Sequence, residues 1–144
     1  MQWETDYRQL VAAMGDAVVI SDTEGRIRLW NPAAERIFGF SETEALGQSL
    51  DLIIPEKQRQ RHWDGYRETM RSGKTRYATD LLRVPAIGKN ARRLSIAFSV
   101  ALLYSEDKEV SGMVAVIRDE TERFNAEREL RKRLAELEQG AGGV

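Results

Sequence analysis

The chain contains no cysteine, which excludes disulfide bridges, thiolate metal centres and thiol nucleophiles at once. It also lacks the HExxH, Walker-type and GxGxxG patterns that mark zinc proteases and nucleotide-binding loops. An excess of charge of one sign is missing too. The 22 basic and 23 acidic side chains leave a formal charge of −1, too little to draw in nucleic acid or an anionic membrane. No direct nucleic-acid contact is expected. No stretch approaches the ~20 apolar residues of a membrane span, and Met1 is not followed by a basic region and an apolar run. The expected setting is cytoplasmic, without membrane. What is present suits one soluble domain: 144 residues, 42% hydrophobic and 31% charged, enough to bury roughly two thirds of the unfolded surface.

Periodicity divides the chain into elements. Trp3, Tyr7, Leu10, Val11 and Met14 recur at helical spacing over residues 3–14, which predicts a lead-in helix ending at Gly15. Ala17–Ser21 and Ile27–Trp30 are β-type runs around the turn residues Asp22-Thr23-Glu24-Gly25, a hairpin pattern. Asn31 stands where an N-cap belongs, with Pro32 in the first turn. Ser41 and Glu44 form a capping box that opens a second short helix, and Pro55 opens a longer one ending near Gly73. Strands are expected at about 75–84, 92–104 and 110–118, followed by an uninterrupted helix from Glu120. The resulting class is α+β: a five-stranded antiparallel sheet with short helices on one face and a flanking helix at each end.

Five local patterns occur in this order: Asp22-x-x-Gly25, Trp30-Asn31-x-Ala33-Ala34, Gly39-Phe40-Ser41-x-x-Glu44-x-x-Gly47, Ile54-Pro55-Glu56 and Arg118-Asp119-x-Thr121-Glu122. Together, over about residues 5–122, they resemble the landmarks of bacterial-type PAS sensor domains. The resemblance implies a sensing or interaction role, with a ligand held between the sheet and the central helix. It also divides the chain into a flanking helix at 1–14, a PAS domain at 15–119, a signalling helix at 120–139 and a disordered tail at 140–144.

His62, the single histidine, lies on the helix after Pro55. The oxygen-sensing haem PAS domains resemble this stretch and place their axial ligand at a similar distance from Pro-Glu, which makes His62 the candidate ligand to a haem iron and hence the only candidate metal ligand. The pattern is partly kept: Tyr66 follows His62 by four residues where that family has three. The position of the family's distal arginine falls on Leu82, with Arg83 one residue on and facing the other side of the sheet. Flavin is a further cofactor of the fold, but without cysteine the covalent flavin adduct of blue-light sensors is excluded. The candidate lining is Ile96, Phe98 and Val100 on one strand and Met113, Ala115 and Ile117 on the next, with Ser95, Ser99, Asn31, Tyr66 and Tyr77 as the polar groups within reach. Val114 and Val116 are apolar as well, so alternation alone does not choose the inward set on that strand.

The last helix carries Leu130, Leu134 and Leu137 at 4- and 3-residue spacing, a short coiled-coil seam. With Trp3, Tyr7 and Leu10 of the lead-in helix it forms the expected homodimer surface. Asp119, Glu120 and Thr121 mark the exit through which a sensor of this kind would act on a downstream signalling or transcription regulator, either on a partner or in a longer chain. No nucleophile, base and orienting acid fall together, because Asp64 lies on a different helical face from His62, so an enzyme is not expected. Three readings stay open: a small-molecule sensor, a haem gas or redox sensor, and a ligand-free dimerisation scaffold.

Overall fold

The computed structural model of the chain describes residues 3–75 and 79–142. Its first element begins later than the hydrophobic spacing suggests. Helix α1 (Tyr7–Ala13) is capped by Asp6, whose carboxylate accepts from Arg8 and Gln9 N–H, so residues 3–6 stay outside it. The cap fixes the start more sharply than the stripe does.

Strands β1 (Ala17–Asp22) and β2 (Ile27–Trp30) form the expected hairpin. Helix α2 (Pro32–Phe38) follows Asn31 directly and ends at Gly39, whose φ of 81° suits a residue without Cβ. In α3 (Glu42–Ala45) both halves of the Ser41–Glu44 capping box are made. A 3₁₀ turn at Leu50–Ile53 then leads to the long helix α4 (Glu56–Ser72).

Strand β3 (Leu82–Ile87) lies further along than the expected 75–84 and includes Pro85. A proline has no N–H to give to a ladder, but β3 is an edge strand and tolerates it. Strands β4 (Arg93–Tyr104) and β5 (Val110–Asp119) are long and close to their expected limits. Helix α5 (Thr121–Gly142) continues through Gly140, where fraying was expected. A terminal glycine costs a helix only about 1 kcal/mol.

All four ladders are antiparallel, in the order β2-β1-β5-β4-β3. The register sets Ala17 opposite Ile117, Val19 opposite Ala115 and Ser21 opposite Met113, and these alternate residues face α2 to α4. The core therefore includes Ala17, Val19, Ile96 and Ile117 of the sheet together with Trp30 and Phe38. The Trp30 and Phe38 rings lie 5.4 Å apart. Val114 and Val116 take the opposite face. Met113, Ala115 and Ile117 are thus the inward set, the choice that alternation left open.

Candidate functional site

Two regions carry the polar chemistry of the fold: the inner face of α4, and the junction where β5 becomes α5. On α4, residues 59, 62, 63, 66 and 70 turn toward the sheet, at helical spacing. Tyr66 is buried, and its hydroxyl donates to the Asp22 carbonyl at 2.5 Å. That uses its single proton, so the Ser21 hydroxyl, 2.9 Å away, donates to it. Burial raises the Tyr66 pKa above its ordinary value, the Ser21 hydrogen bond opposes the rise and the Asp22 carboxylate adds to it. Tyr66 is therefore committed to β1.

Trp63 ties the same helix to the hairpin tip. Its indole N–H donates to Asp51 Oδ1 at 2.7 Å, and its ring lies against Gly25, where a Cβ would come within 2.2 Å of it. With φ at 81°, position 25 needs glycine for its backbone as well as for this contact. At the base of the same turn, Asp22 accepts from the N–H groups of Glu24 and Arg26 and from the Arg28 guanidinium. Desolvation alone would raise its pKa, but these hydrogen bonds outweigh it and hold the carboxyl below the usual range.

His62 stands between these two aromatics, 4.6 Å from the Trp63 ring and 5.6 Å from that of Tyr66. Its Nδ1 is buried and has no hydrogen-bond partner. Burial pushes its pKa below 6.5, the nearby Asp51 charge only partly opposing this, so the imidazole is neutral at pH 7. A neutral, desolvated imidazole has the lone pair an axial haem ligand needs. The sheet beneath supplies an apolar floor: Ile96 and Val100 are buried, and Leu82, Phe98, Met113 and Ala115 are half-buried. The donor therefore suits an iron, but the position expected of a distal donor is apolar. Leu82 stands there, facing Phe98 across an unbroken β3–β4 ladder. Arg83 points outward and pairs with Glu120. Tyr77 lies outside the described residues.

The β5–α5 junction has a different logic. Strand β5 ends its pairing with Asp119 opposite Ile96, so the next backbone groups of β4, those of Ser95, would be left without partners on that side. The first turn of α5 takes them over. Glu120 N–H donates to the Ser95 carbonyl at 2.8 Å, and Ser95 N–H donates to Thr121 Oγ1 at 3.0 Å. The Thr121 hydroxyl in turn donates to Asp119 Oδ1 at 2.5 Å, and the same oxygen accepts Thr121 N–H at 2.9 Å. Glu120 holds Arg83 of β3 at 3.2 Å and Arg123 of α5 at 3.8 Å. Arg118, one residue before Asp119, pairs with Asp16 at the entry to β1. Asp119, Glu120 and Thr121, selected from sequence as the exit, are thus the residues that fasten the last helix to the sheet.

Two clefts of about 460 and 610 Å³ flank this junction. Neither is lined by a residue of α4, the helix under which a ligand was expected. The residues expected at a dimer surface are all exposed: Trp3, Tyr7 and Leu10 at the N-terminal end, Leu130, Leu134 and Leu137 on α5. Ser95, Asp51 and Trp63 were missed as anchoring residues. Trp63 had a signal in its position next to His62 on the apolar side of α4, whereas the role of Ser95 depends on where β5 stops.

Among the described residues no helix is long and apolar enough to cross a membrane. The family profile described as "PAS fold" matches residues 5–119. Sensor protein FixL of Bradyrhizobium diazoefficiens is 44% identical over 63 residues, which are 44% of this chain and 12% of that protein. Oxygen sensor protein DosP of Escherichia coli K12 is 26% identical over 106 residues, 74% of this chain and 13% of that protein. The chain thus spans only about an eighth of the length of these relatives. The crystal structure of the PAS domain of a protein from Colwellia psychrerythraea superimposes with a TM-score of 0.71 at 19% identity, covering 81% of this chain and 95% of that one.

Proposed function

The chain belongs to the PAS family, and from that premise we propose that it senses a small molecule or a cofactor state at the inner face of α4 and passes the event to a signalling or transcription partner through α5. The supporting observation is the fastening of Glu120 and Thr121 to Ser95. The strand that carries Ser95 also carries Ile96, Phe98 and Val100, the floor of the binding face, so a shift of β4 displaces the root of α5 directly. A ligand that contacts α4 and β4 differently in two packings would change the direction in which α5 leaves. The module has no catalytic role of its own.

Homodimerisation would give that movement a readout. The apolar stripe Leu130, Leu134 and Leu137 is exposed in the single chain, and an isolated helix gains its stability by pairing. Trp3, Tyr7 and Leu10 add a second apolar surface.

Native mass spectrometry of the purified protein tests the sensor reading. It predicts extra mass from a bound molecule that is lost on unfolding. Protein that carries no such mass and shows no chromophore absorption contradicts it and leaves the dimerisation scaffold.

A haem reading is favoured by one observation, the buried and neutral His62 with its unpartnered Nδ1. In that case His62 would hold the iron, Ile96, Phe98, Val100, Leu82, Met113 and Ala115 would exclude water, and the haem would supply gas or electron binding. A Soret band that His62→Ala abolishes is the expected result. A featureless spectrum removes haem and flavin together.

A further inference from the structure

The larger cleft at the junction has a composition that the sensing account does not use. It runs between the first three turns of α5 and the β3–β4 sheet, and five arginines line it: Arg83, Arg93, Arg123, Arg128 and Arg131. Against them stand two carboxylates, Glu120 and Glu127, and both are already engaged. Glu120 pairs with Arg83 and Arg123, Glu127 with Arg123 at 3.1 Å and Arg131 at 3.9 Å. Among the described residues Arg93 and Arg128 have no carboxylate partner. A chain with a net charge of −1 thus gathers three surplus positive charges in one cleft of about 610 Å³.

We propose that this cleft is a docking groove for an acidic peptide segment of a partner protein, seated between α5 and the β3–β4 face. Three features select a peptide carrying carboxylates. Every cation is an arginine, whose planar fork matches a carboxylate with two parallel hydrogen bonds. The groove also has an apolar part, formed by Pro85 and by Phe124, which is 49% exposed, and this suits an aliphatic side chain between acidic ones. From Glu120 to Arg131 the helix rises about 16 Å, the length of about five extended residues. Long nucleic acid fits less well, because a net charge of −1 gives the chain no overall field to draw in a phosphate backbone. The proposal goes beyond the sensing reading and does not depend on what occupies the inner face of α4. Its consequence bears on the same helix: a peptide bound here touches both sides of the Glu120–Thr121 junction and favours one exit direction of α5.

Fluorescence anisotropy with a fluorescein-labelled peptide of about eight alternating glutamate and leucine residues tests this on the full chain. Binding at low ionic strength should be saturable and should weaken as salt is raised. The pair Arg93→Glu and Arg128→Glu should weaken it about tenfold or more, and Arg93→Gln with Arg128→Gln should weaken it in the same direction. The charge-matched pair Arg8→Glu and Arg36→Glu, outside the groove, should leave it unchanged. Circular dichroism confirms that each variant is folded. Absence of binding, an equal loss in the control pair, or full displacement of the peptide by an equal concentration of a single-stranded oligonucleotide overturns the proposal.

Discussion

At the residue scale, His62 is a titratable group drawn partly out of water. Its pKa is lowered in the folded chain, by burial foremost, so between about 6.5 and the lower folded value the unfolded chain binds more protons than the folded one. Stability then rises with pH across that window and is lost as pH falls through it. Asp22, whose folded pKa is below 3.8, contributes stability that is lost only in stronger acid, so the two effects separate. The melting midpoint should fall between pH 7.5 and pH 5.5, a window about the ordinary histidine pKa, and His62→Leu should flatten that slope. An unchanged slope in the variant would mean that the imidazole is not desolvated. His62 was visible in the sequence because it is unique. The contacts of its neighbours were not, since Trp63 lies against Gly25 and Tyr66 reaches Ser21 and Asp22 across some forty positions, and a spacing pattern records nothing at that separation.

At the element scale, local chemistry is what the sequence recorded best. Asn31 shows why. Its Oδ1 accepts from Ala34 N–H at 3.0 Å and from Val18 N–H at 2.8 Å, while its amide donates to the Val11 and Asp16 carbonyls. One side chain thus caps α2, closes the end of β1 and holds the end of α1. The cap was legible from Asn31-Pro32 alone, and the other three bonds required the fold. Asn31→Ala should cost about 3 kcal/mol, roughly 1 for the cap and the rest for backbone groups left unpaired. Urea unfolding measures this, and a loss below about 1 kcal/mol would mean that only the cap contributes. Strand β3, expected earlier in the chain, runs from Leu82 to Ile87. Pro85 argues against a strand until the edge position of β3 is known.

At the scale of the whole molecule, the order of elements and the antiparallel sheet were legible because hairpin turns, caps and alternation all pointed the same way. The clefts at the base of α5 were not, because Arg83 and Arg93 meet α5 only once the sheet is assembled. The exposed leucines of α5 carry the prediction at this scale. Analytical ultracentrifugation should find a dimer, and Leu130→Glu with Leu134→Glu should convert it to a folded monomer. A wild-type monomer at high concentration would leave the stripe for a different partner.

The central claim is that the proposed binding face and the last helix are joined through β4 at Ser95. Hydrogen exchange at the Glu120 and Phe124 amides, which bond to the Ser95 and Glu120 carbonyls, tests it most directly when the floor of the binding face is altered by Ala115→Leu. The account predicts that exchange at these two amides changes by about threefold or more, an opening free energy of roughly 0.7 kcal/mol, while Ala101→Leu on the outer face leaves them as they were. Equal protection in both variants and the wild type would contradict it.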